Sequence, residues 1–265
     1  MKVQGMKNNY RKNFSFIDLI PDKFNNKINF IVSTRHGGIS KAPYDQLNLS
    51  FNVGDEQGAV EYNRKVFFDK AGCNGAHVYK PEQIHGDNIV EIKNNDPYLI
   101  KAADALITKE KNAVLSVMTA DCMPILIFDP VNKAFGIIHA GWKGAFLFLP
   151  GKTLRKMTKA FKTRPYDCLA VLGPAICSDC YEVNNDLVEK NTETFRFGEL
   201  GIIRNNSKIY LDLVEINSEI LLAAGLKKGN IHKTGLCTSC LPEFFYSHRR
   251  DGGKTGRMMS LAWME

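Results

Sequence analysis

Residues 119–144 read T-A-D-C-M-P-I-L-I-F-D-P-V-N-K-A-F-G-I-I-H-A-G-W-K-G, and two short apolar runs stand out in them: P-I-L-I-F at 124–128 and A-F-G-I-I at 134–138. Between them lies D-P-V-N-K. Pro130 and Asn132 are turn formers, because proline fixes φ and asparagine tolerates the left-handed region. The stretch therefore reads as an antiparallel hairpin turning near Val131. Pairing outward from that turn sets Cys122 against His139 at the hairpin's open end. A thiol and an imidazole there, beside Asp121 and the small residues Ala140 and Gly141, make a candidate site. The competing reading is a cysteine buried for packing, since free cysteine is among the most buried residue types. The hairpin alone does not separate the two.

Around this hairpin the chain has ordinary globular composition, with 265 residues, 44% hydrophobic and 24% charged, enough for a large core. No internal repeat, low-complexity linker or composition break divides it. Residues 27–265 are expected to form one domain behind a loose lead-in over residues 1–26. The net charge of +7 is scattered, and its densest group is Arg249, Arg250, Lys254 and Arg257. With no basic face or nucleic-acid motif, nucleic acid is not an expected partner; an anionic small substrate is compatible. No apolar run reaches membrane-spanning length, and the polar, basic N-terminus lacks the apolar region of a secretory signal. The chain is expected to be cytoplasmic and off the membrane, a monomer or homodimer. Its seven cysteines fit reduced thiols better than a disulfide framework.

Along the chain, K-I-N-F-I-V at 27–32 reads as a strand running into R-H-G-G, which places Arg35 where a strand becomes a loop. A helix is expected over 56–71, with Asp55 as N-cap and Gly72 as the stop. H-V-Y-K-P-E-Q-I-H-G-D-N-I-V-E-I holds two short strands around a loop that carries His85. A-V-L-S-V-M feeds the hairpin as a buried strand. After Trp142, Pro150 and Gly151 interrupt the helical pattern, so two helices, or one kinked helix starting late, are expected. C-L-A-V-L-G-P is a further strand, helices are expected near 184–194 and 213–224, and I-H-K-T-G-L-C and R-M-M-S-L-A-W read as the last strands. Strands and helices alternate with hairpins among them, which points to an α/β protein with mixed sheets.

Three groups of residues carry chemistry. His85, Cys122 and His139 each stand at a strand end beside a glycine or aspartate, and nitrogen and thiolate ligands suit zinc. Three protein ligands leave a fourth position open, as catalytic zinc sites do. Cys177-Ser-Asp-Cys180 and Cys237-Thr-Ser-Cys240 are two C-x-x-C pairs whose four thiolates could make a structural zinc site, but their separation exceeds the usual zinc-ribbon spacing; redox-active or merely structural thiols are the alternatives. D-G-G-K-T-G at 251–256 fails the P-loop pattern, because His248 occupies the position of its first glycine. A glycine loop beside Arg249, Arg250 and Arg257 could still wrap an anion or be a plain turn.

R-H-G-G-I-S, Q-I-H-G, A-D-A-L-I-T, T-A-D-C-M-P-I-L-I-F-D-P, H-A-G-W-K-G, G-P-A-I-x-x-x-x-Y-E-V and C-T-x-x-x-x-x-F-F-Y-S-H-R-R-D-G-G-K-T-G-R-M follow one another through nearly the whole chain. In this it resembles the YfiH/YlmD family of laccase-domain, multicopper-polyphenol-oxidase-like proteins. The resemblance implies one α/β domain in a layered α/β/β/α sandwich with mixed sheets, related to the cytotoxic-necrotizing-factor-type cysteine hydrolases. It implies a zinc site at His85, Cys122 and His139, and a substrate or phosphate contact at Arg35. Members are described as enzymes that phosphorolyse adenosine, inosine and methylthioadenosine and deaminate adenosine; others are called laccases or peptidoglycan editing factors.

The expectation is a zinc-dependent purine nucleoside phosphorylase with adenosine deaminase activity, its partners being a purine nucleoside and phosphate. Arg35, with Arg250 or Lys254, would hold phosphate; Asp121 and Asp104 are candidates for acid/base or ligand-orienting work. A Cys–His hydrolase of a peptidoglycan precursor, with Cys122 as nucleophile and His139 as base, is the alternative, and a zinc-stabilised binding module is the non-enzymatic one. Copper-dependent polyphenol oxidation ranks lower, because multicopper centres take many imidazoles, several in H-x-H pairs. This chain has six histidines and no such pair.

Overall fold

The computed structural model describes residues 15–24, 27–192 and 195–264; residues 1–14, 25 and 26 of the expected lead-in lie outside them. The hairpin forms from strands Met123–Asp129 and Ala134–Ala140, every residue of which is buried. Burial on both faces is why each strand reads as a continuous apolar run. The turn is longer than expected. Asp129 pairs with Ala134, and its carboxylate accepts from the backbone N–H of Val131 (2.9 Å) and Asn132 (3.0 Å), an aspartate-stabilised turn. Consequently His139 pairs with Pro124, and two steps further out, beyond the Met123–Ala140 pair, Cys122 stands against Gly141. The register differs from the expected one by an even number of residues, and strand side chains alternate with period two. Cys122 and His139 therefore stay on one face as diagonal neighbours.

Two six-stranded mixed sheets form the body. The first runs Phe16–Asp18, Asn29–Ser33, Met258–Trp263, Ala113–Thr119, His77–Pro81, Leu99–Ile100; the second runs Ile231–Lys233, Leu169–Leu172, Met123–Asp129, Ala134–Ala140, Ala105–Thr108, Ile89–Glu91. Phe16–Asp18 thus makes part of the expected lead-in an edge strand, antiparallel to Asn29–Ser33. Between the sheets Phe30, Val32, Leu115 and Val117 meet Leu126, Phe128, Phe135 and Ile137. Each such side chain, fully buried, contributes about 1.5–3 kcal/mol. The alternate residues Ile125, Ile127 and Ile138 face outward onto Leu154, Met157 and Leu221 of helices Leu149–Phe161 and Leu213–Ala223. On the other outer face, Phe67 of helix Gln57–Lys70 packs with Ile31, Val114 and Leu261. The order is helix, sheet, sheet, helix, as the family resemblance implied.

Several local readings shift. The first helix starts at Gln57, and Asp55 does not cap it; its carboxylate takes Ser40 Oγ (2.6 Å) and Asn48 Nδ2 (2.8 Å). After Trp142 there are two helices, Trp142–Phe146 and Leu149–Phe161, and the break falls at Phe148 with φ 61°. Pro150 opens the second helix, where its missing N–H has no partner to lose. A Cβ on Gly151 would sit 3.2 Å from Ile220 Cγ2, so glycine there permits close packing of helix Leu149–Phe161 against helix Leu213–Ala223. The helix expected over 184–194 spans Asn185–Thr192; residues 193 and 194 lie outside the described ones. The strands His77–Pro81 and Ile89–Glu91 belong to different sheets, so the loop with His85 crosses between sheets at one end of the sandwich. A third small sheet, Glu182–Val183, Lys208–Leu211 and Ile202–Asn205, stands beside that end.

Candidate active site

The crossing loop and the hairpin's open end are tied together by one buried carboxylate. Asp104 is 0% exposed and precedes strand Ala105–Thr108, which pairs with the strand bearing His139. Its Oδ1 accepts from His85 N (3.0 Å) and its Oδ2 from Ile84 N (3.2 Å) and Gly86 N (2.7 Å). Oδ1 also lies 2.8 Å from His139 Nδ1. Burial alone would raise the carboxyl's pKa, but these hydrogen bonds and the imidazole hold it below its usual value. With Asp104 ionised, a proton of His139 is held on Nδ1, so Nε2 is the nitrogen a metal would take by displacing the other proton. His85 adopts φ 56°, and its ring meets that of His139 edge-on at 4.8 Å between centroids.

Cys122 completes the group: a ligand atom from each of His85, Cys122 and His139 lies within 4.8 Å of the others. Gly141 is required opposite the thiol, because a Cβ there would come 2.8 Å from Cys122 Sγ. Burial pushes the Cys122 thiol up, but His139 and His85 outweigh it and bring it down to about 6. Burial likewise pushes His139 down, while Cys122 and Asp104 raise it to about 9. The pair favours thiolate and imidazolium, so the thiolate a metal would need is already stabilised. Two imidazoles and a thiolate in mutual reach fit a zinc-type ion.

The group lies in a cleft of about 770 Å³ whose walls include Arg64, Lys80, Glu82, Trp142, Tyr181, Arg249 and Arg257. Arg64 donates from Nε to Leu49 O (2.8 Å) and stacks 4.3 Å over the Phe51 ring; burial lowers its pKa to about 10. Lys80 is lowered by burial and by Arg64. Arg257 Nη1 donates to Thr255 O (2.7 Å) and Gly256 O (2.9 Å). Burial lowers it, against the pull of Cys122 and Asp121. None of these three forms an ion pair among the described residues. Partly buried cations with no carboxylate in ion-pair range suit an anion.

Other residues singled out from the sequence stand differently. Asp121 lines the cleft at φ 90°, but its oxygens are engaged: Oδ1 accepts from Thr238 Oγ1 (2.6 Å) and Oδ2 from Arg249 N (2.7 Å). It clamps two loops beside Cys122. Arg35, Arg250 and Lys254 are not brought to the cleft. Arg35 spends its fork on Asp45 O (3.0 Å), Asp45 Oδ2 (3.1 Å) and Pro242 O (3.0 Å), with Tyr246 beneath it. Arg250 ties Thr238 O (2.8 Å), Phe245 O (2.9 Å) and the Asp251 carboxylate. Lys254 is exposed. The glycine loop is a turn built on Asp251, whose Oδ2 also accepts from Thr255 Oγ1 (2.7 Å). Arg64 and Lys80, which the fold brings to the cleft wall, carry no local motif in the sequence.

Asp251 gives a pH-dependent prediction. Burial would raise its pKa, but Arg250, Thr255 and the Ser247 N–H hold it below the usual value. A carboxylate depressed in the fold contributes stability above its unfolded pKa near ~4 and loses it as pH falls through the lower folded value. Asp251→Asn is expected to lower unfolding free energy by about 1–3 kcal/mol at pH 7, a difference that narrows toward about pH 3. Urea unfolding of both proteins across that range is the measurement.

Residues 29–265 match the family described as multi-copper polyphenol oxidoreductase laccase. Purine nucleoside phosphorylase YlmD of Bacillus subtilis is 34% identical over 242 residues, covering 88% of this chain and 87% of that protein. Purine nucleoside phosphorylase YfiH of Escherichia coli is 34% identical over 232 residues, covering 88% and 92%. The crystal structure of YlmD from Geobacillus stearothermophilus superposes with a TM-score of 0.91 at 29% identity, covering 98% of this chain and 99% of that one. A Bacillus licheniformis YfiH structure superposes with a TM-score of 0.90 at 32% identity, covering 98% and 100%. Among the described residues, no helix is long and apolar enough to cross a membrane.

Proposed function

The chain belongs to the multi-copper polyphenol oxidoreductase laccase family, in its YfiH/YlmD branch, and from that premise we propose that it is a zinc-dependent purine nucleoside phosphorylase. Its substrates would be adenosine, inosine and methylthioadenosine, cleaved to free base and ribose 1-phosphate, with adenosine deamination as a second reaction. The observation that carries this reading is the pairing, in one cleft, of a His–Cys–His group with cations that have no carboxylate partner. The names of the relatives supply the reaction class.

In phosphorolysis a phosphate oxygen forms a bond to C1′ of the ribose, the bond from C1′ to N9 breaks, and its electron pair passes to the purine, which takes up a proton. Arg64, Lys80 and Arg257 suit the phosphate, because charge-assisted hydrogen bonds strengthen where water is excluded. Trp142 and Tyr181 offer apolar walls to a base. His85, Cys122 and His139 would hold the zinc, which when bound supplies a Lewis acid and acidifies water. Asp104 keeps the His139 proton on Nδ1. Deamination replaces the C6 amino group with water's oxygen and releases ammonia, without phosphate. The donor set does not fit a multicopper centre, for it has two imidazoles and one thiol.

Arg257→Ala is the test of the phosphate subsite. Loss of a hydrogen bond to a charged group, about 1.5–3 kcal/mol, is expected to raise KM for phosphate about 10–100-fold. Phosphate-independent deamination should change far less. Adenosine turnover that ignores added phosphate in the wild-type protein would refute phosphorolysis. The depressed Cys122 thiol also suits a nucleophile, so a Cys–His hydrolase is the second reading; a wild-type protein with no metal on these three residues would favour it.

A further inference from the structure

The two C-x-x-C pairs, which the cleft chemistry does not use, come together in the fold. Ala175 and Cys237 form a parallel bridge, with Ala175 N donating to Leu236 O and Thr238 N to Ala175 O, each at 3.1 Å. Each chain then turns at once through its C-x-x-C, so the four thiols converge, all within 4.8 Å of one another. Cys177 Sγ lies 3.9 Å and Cys180 Sγ 3.4 Å from Cys240 Sγ. Four sulfurs around one zinc at its usual bond length stand about 3.8 Å apart, whereas a disulfide needs about 2.05 Å. Cys237 Sγ accepts from the backbone N–H of Cys177 (3.3 Å) and Cys240 (3.4 Å), the kind of contact that stabilises a thiolate ligand. An iron–sulfur cubane puts each thiolate on a separate iron and spreads them wider than these are.

The long separation that argued against a ribbon in the sequence loses its force. The residues between Cys180 and Cys237 fold as the small sheet, two helices and a strand, which return the chain to its starting point. We infer that Cys177, Cys180, Cys237 and Cys240 form a tetrathiolate site for a structural zinc ion, separate from the His–Cys–His group, that fixes the wall of the cleft. The connection is short: Ile176, just before the first pair, donates its N–H to Asp121 O (3.0 Å), and Thr238, inside the second, donates to Asp121 Oδ1 (2.6 Å). Arg250 Nη1 grips Thr238 O (2.8 Å) and Ser239 O (3.3 Å). Asp121 precedes Cys122 in the chain, so the four thiols brace the segment that carries a cleft ligand.

The site does not depend on the proposed activity, and cobalt tests it on the intact chain. Protein stripped of metal under reductant and refilled with cobalt(II) should show the intense visible bands of a tetrathiolate complex. Cys122→Ala should keep them, and Cys180→Ser/Cys240→Ser should lose them. Elemental analysis of protein as purified should find one zinc equivalent fewer in Cys180→Ser/Cys240→Ser than in the wild type. Absence of tetrathiolate bands in the refilled wild type overturns the inference without any variant having to fold. So does a Cys177–Cys240 or Cys180–Cys240 disulfide in protein isolated without oxidant.

Discussion

Cys122→Ala is expected to lower phosphorolysis kcat/KM by at least about 10³-fold, since the Lewis acid it helps to hold is worth several kcal/mol of transition-state stabilisation. The loss should be local. Cys122 is half-buried, lies just beyond strand Met123–Asp129 and belongs to none of the apolar clusters. Removing its sulfur should cost no more than about 1 kcal/mol of packing, so the melting temperature of metal-free protein should barely move. Zinc content should fall by one equivalent while the tetrathiolate site keeps its own. Three measurements, kcat/KM, zinc per chain and a metal-free melt, separate the readings. Lost activity with lost zinc supports the zinc enzyme. Lost activity from a wild type with no zinc on these residues supports a thiolate nucleophile. Unfolding with intact turnover of residual folded protein supports a structural role. Full activity in the variant would remove Cys122 from the chemistry.

The sequence showed the hairpin because both its strands are buried on two faces and its turn holds Pro130 and Asn132. It showed the three donors because each stands beside a glycine or an aspartate or one residue from a glycine inside a recognisable motif. What it did not show depends on positions that only the closed fold brings together. Arg64 sits on the first helix and Lys80 on a strand of the first sheet, and nothing local marks either as facing a cleft. Arg35 and Arg250 misled for a definite reason. A guanidinium next to glycines looks like an anion clip, but its five donors serve equally well to tie backbone carbonyls, and here they do. The hairpin register differs from the expected one because the Asp129 side chain lengthens the turn. The error left the site legible, since an even offset preserves the face. The separation of the C-x-x-C pairs measures chain length and not distance, and the fold brings the four thiols together.

Asp104→Asn should break metal binding through one proton. The carboxylate receives four hydrogen bonds, two at each oxygen: His85 N and His139 Nδ1 at Oδ1, Ile84 N and Gly86 N at Oδ2. An amide of the same shape must place its NH₂ at one of those positions. Facing Ile84 and Gly86, it sets donors against two backbone N–H groups and unpins the loop that carries His85. Facing His139, it can keep a hydrogen bond only if Nδ1 becomes an acceptor, which moves the proton to Nε2 and blocks the lone pair a metal needs. That orientation also sets a donor against His85 N, so either one damages at least one ligand, and zinc affinity at the His–Cys–His group should fall by at least about 10–100-fold. Zinc titration of apo protein against a competing chelator is the measurement, with the tetrathiolate cobalt bands, unchanged, as the control for folding. Asp104→Ala removes the partner of a buried, protonated imidazole, which costs about 3–5 kcal/mol of stability, but it leaves the His139 tautomer free. The two substitutions should therefore split: Asn the more harmful to metal affinity, Ala the more harmful to the fold. Equal affinity loss in both would mean that Asp104 acts only as a scaffold for the loop and not by holding the His139 proton.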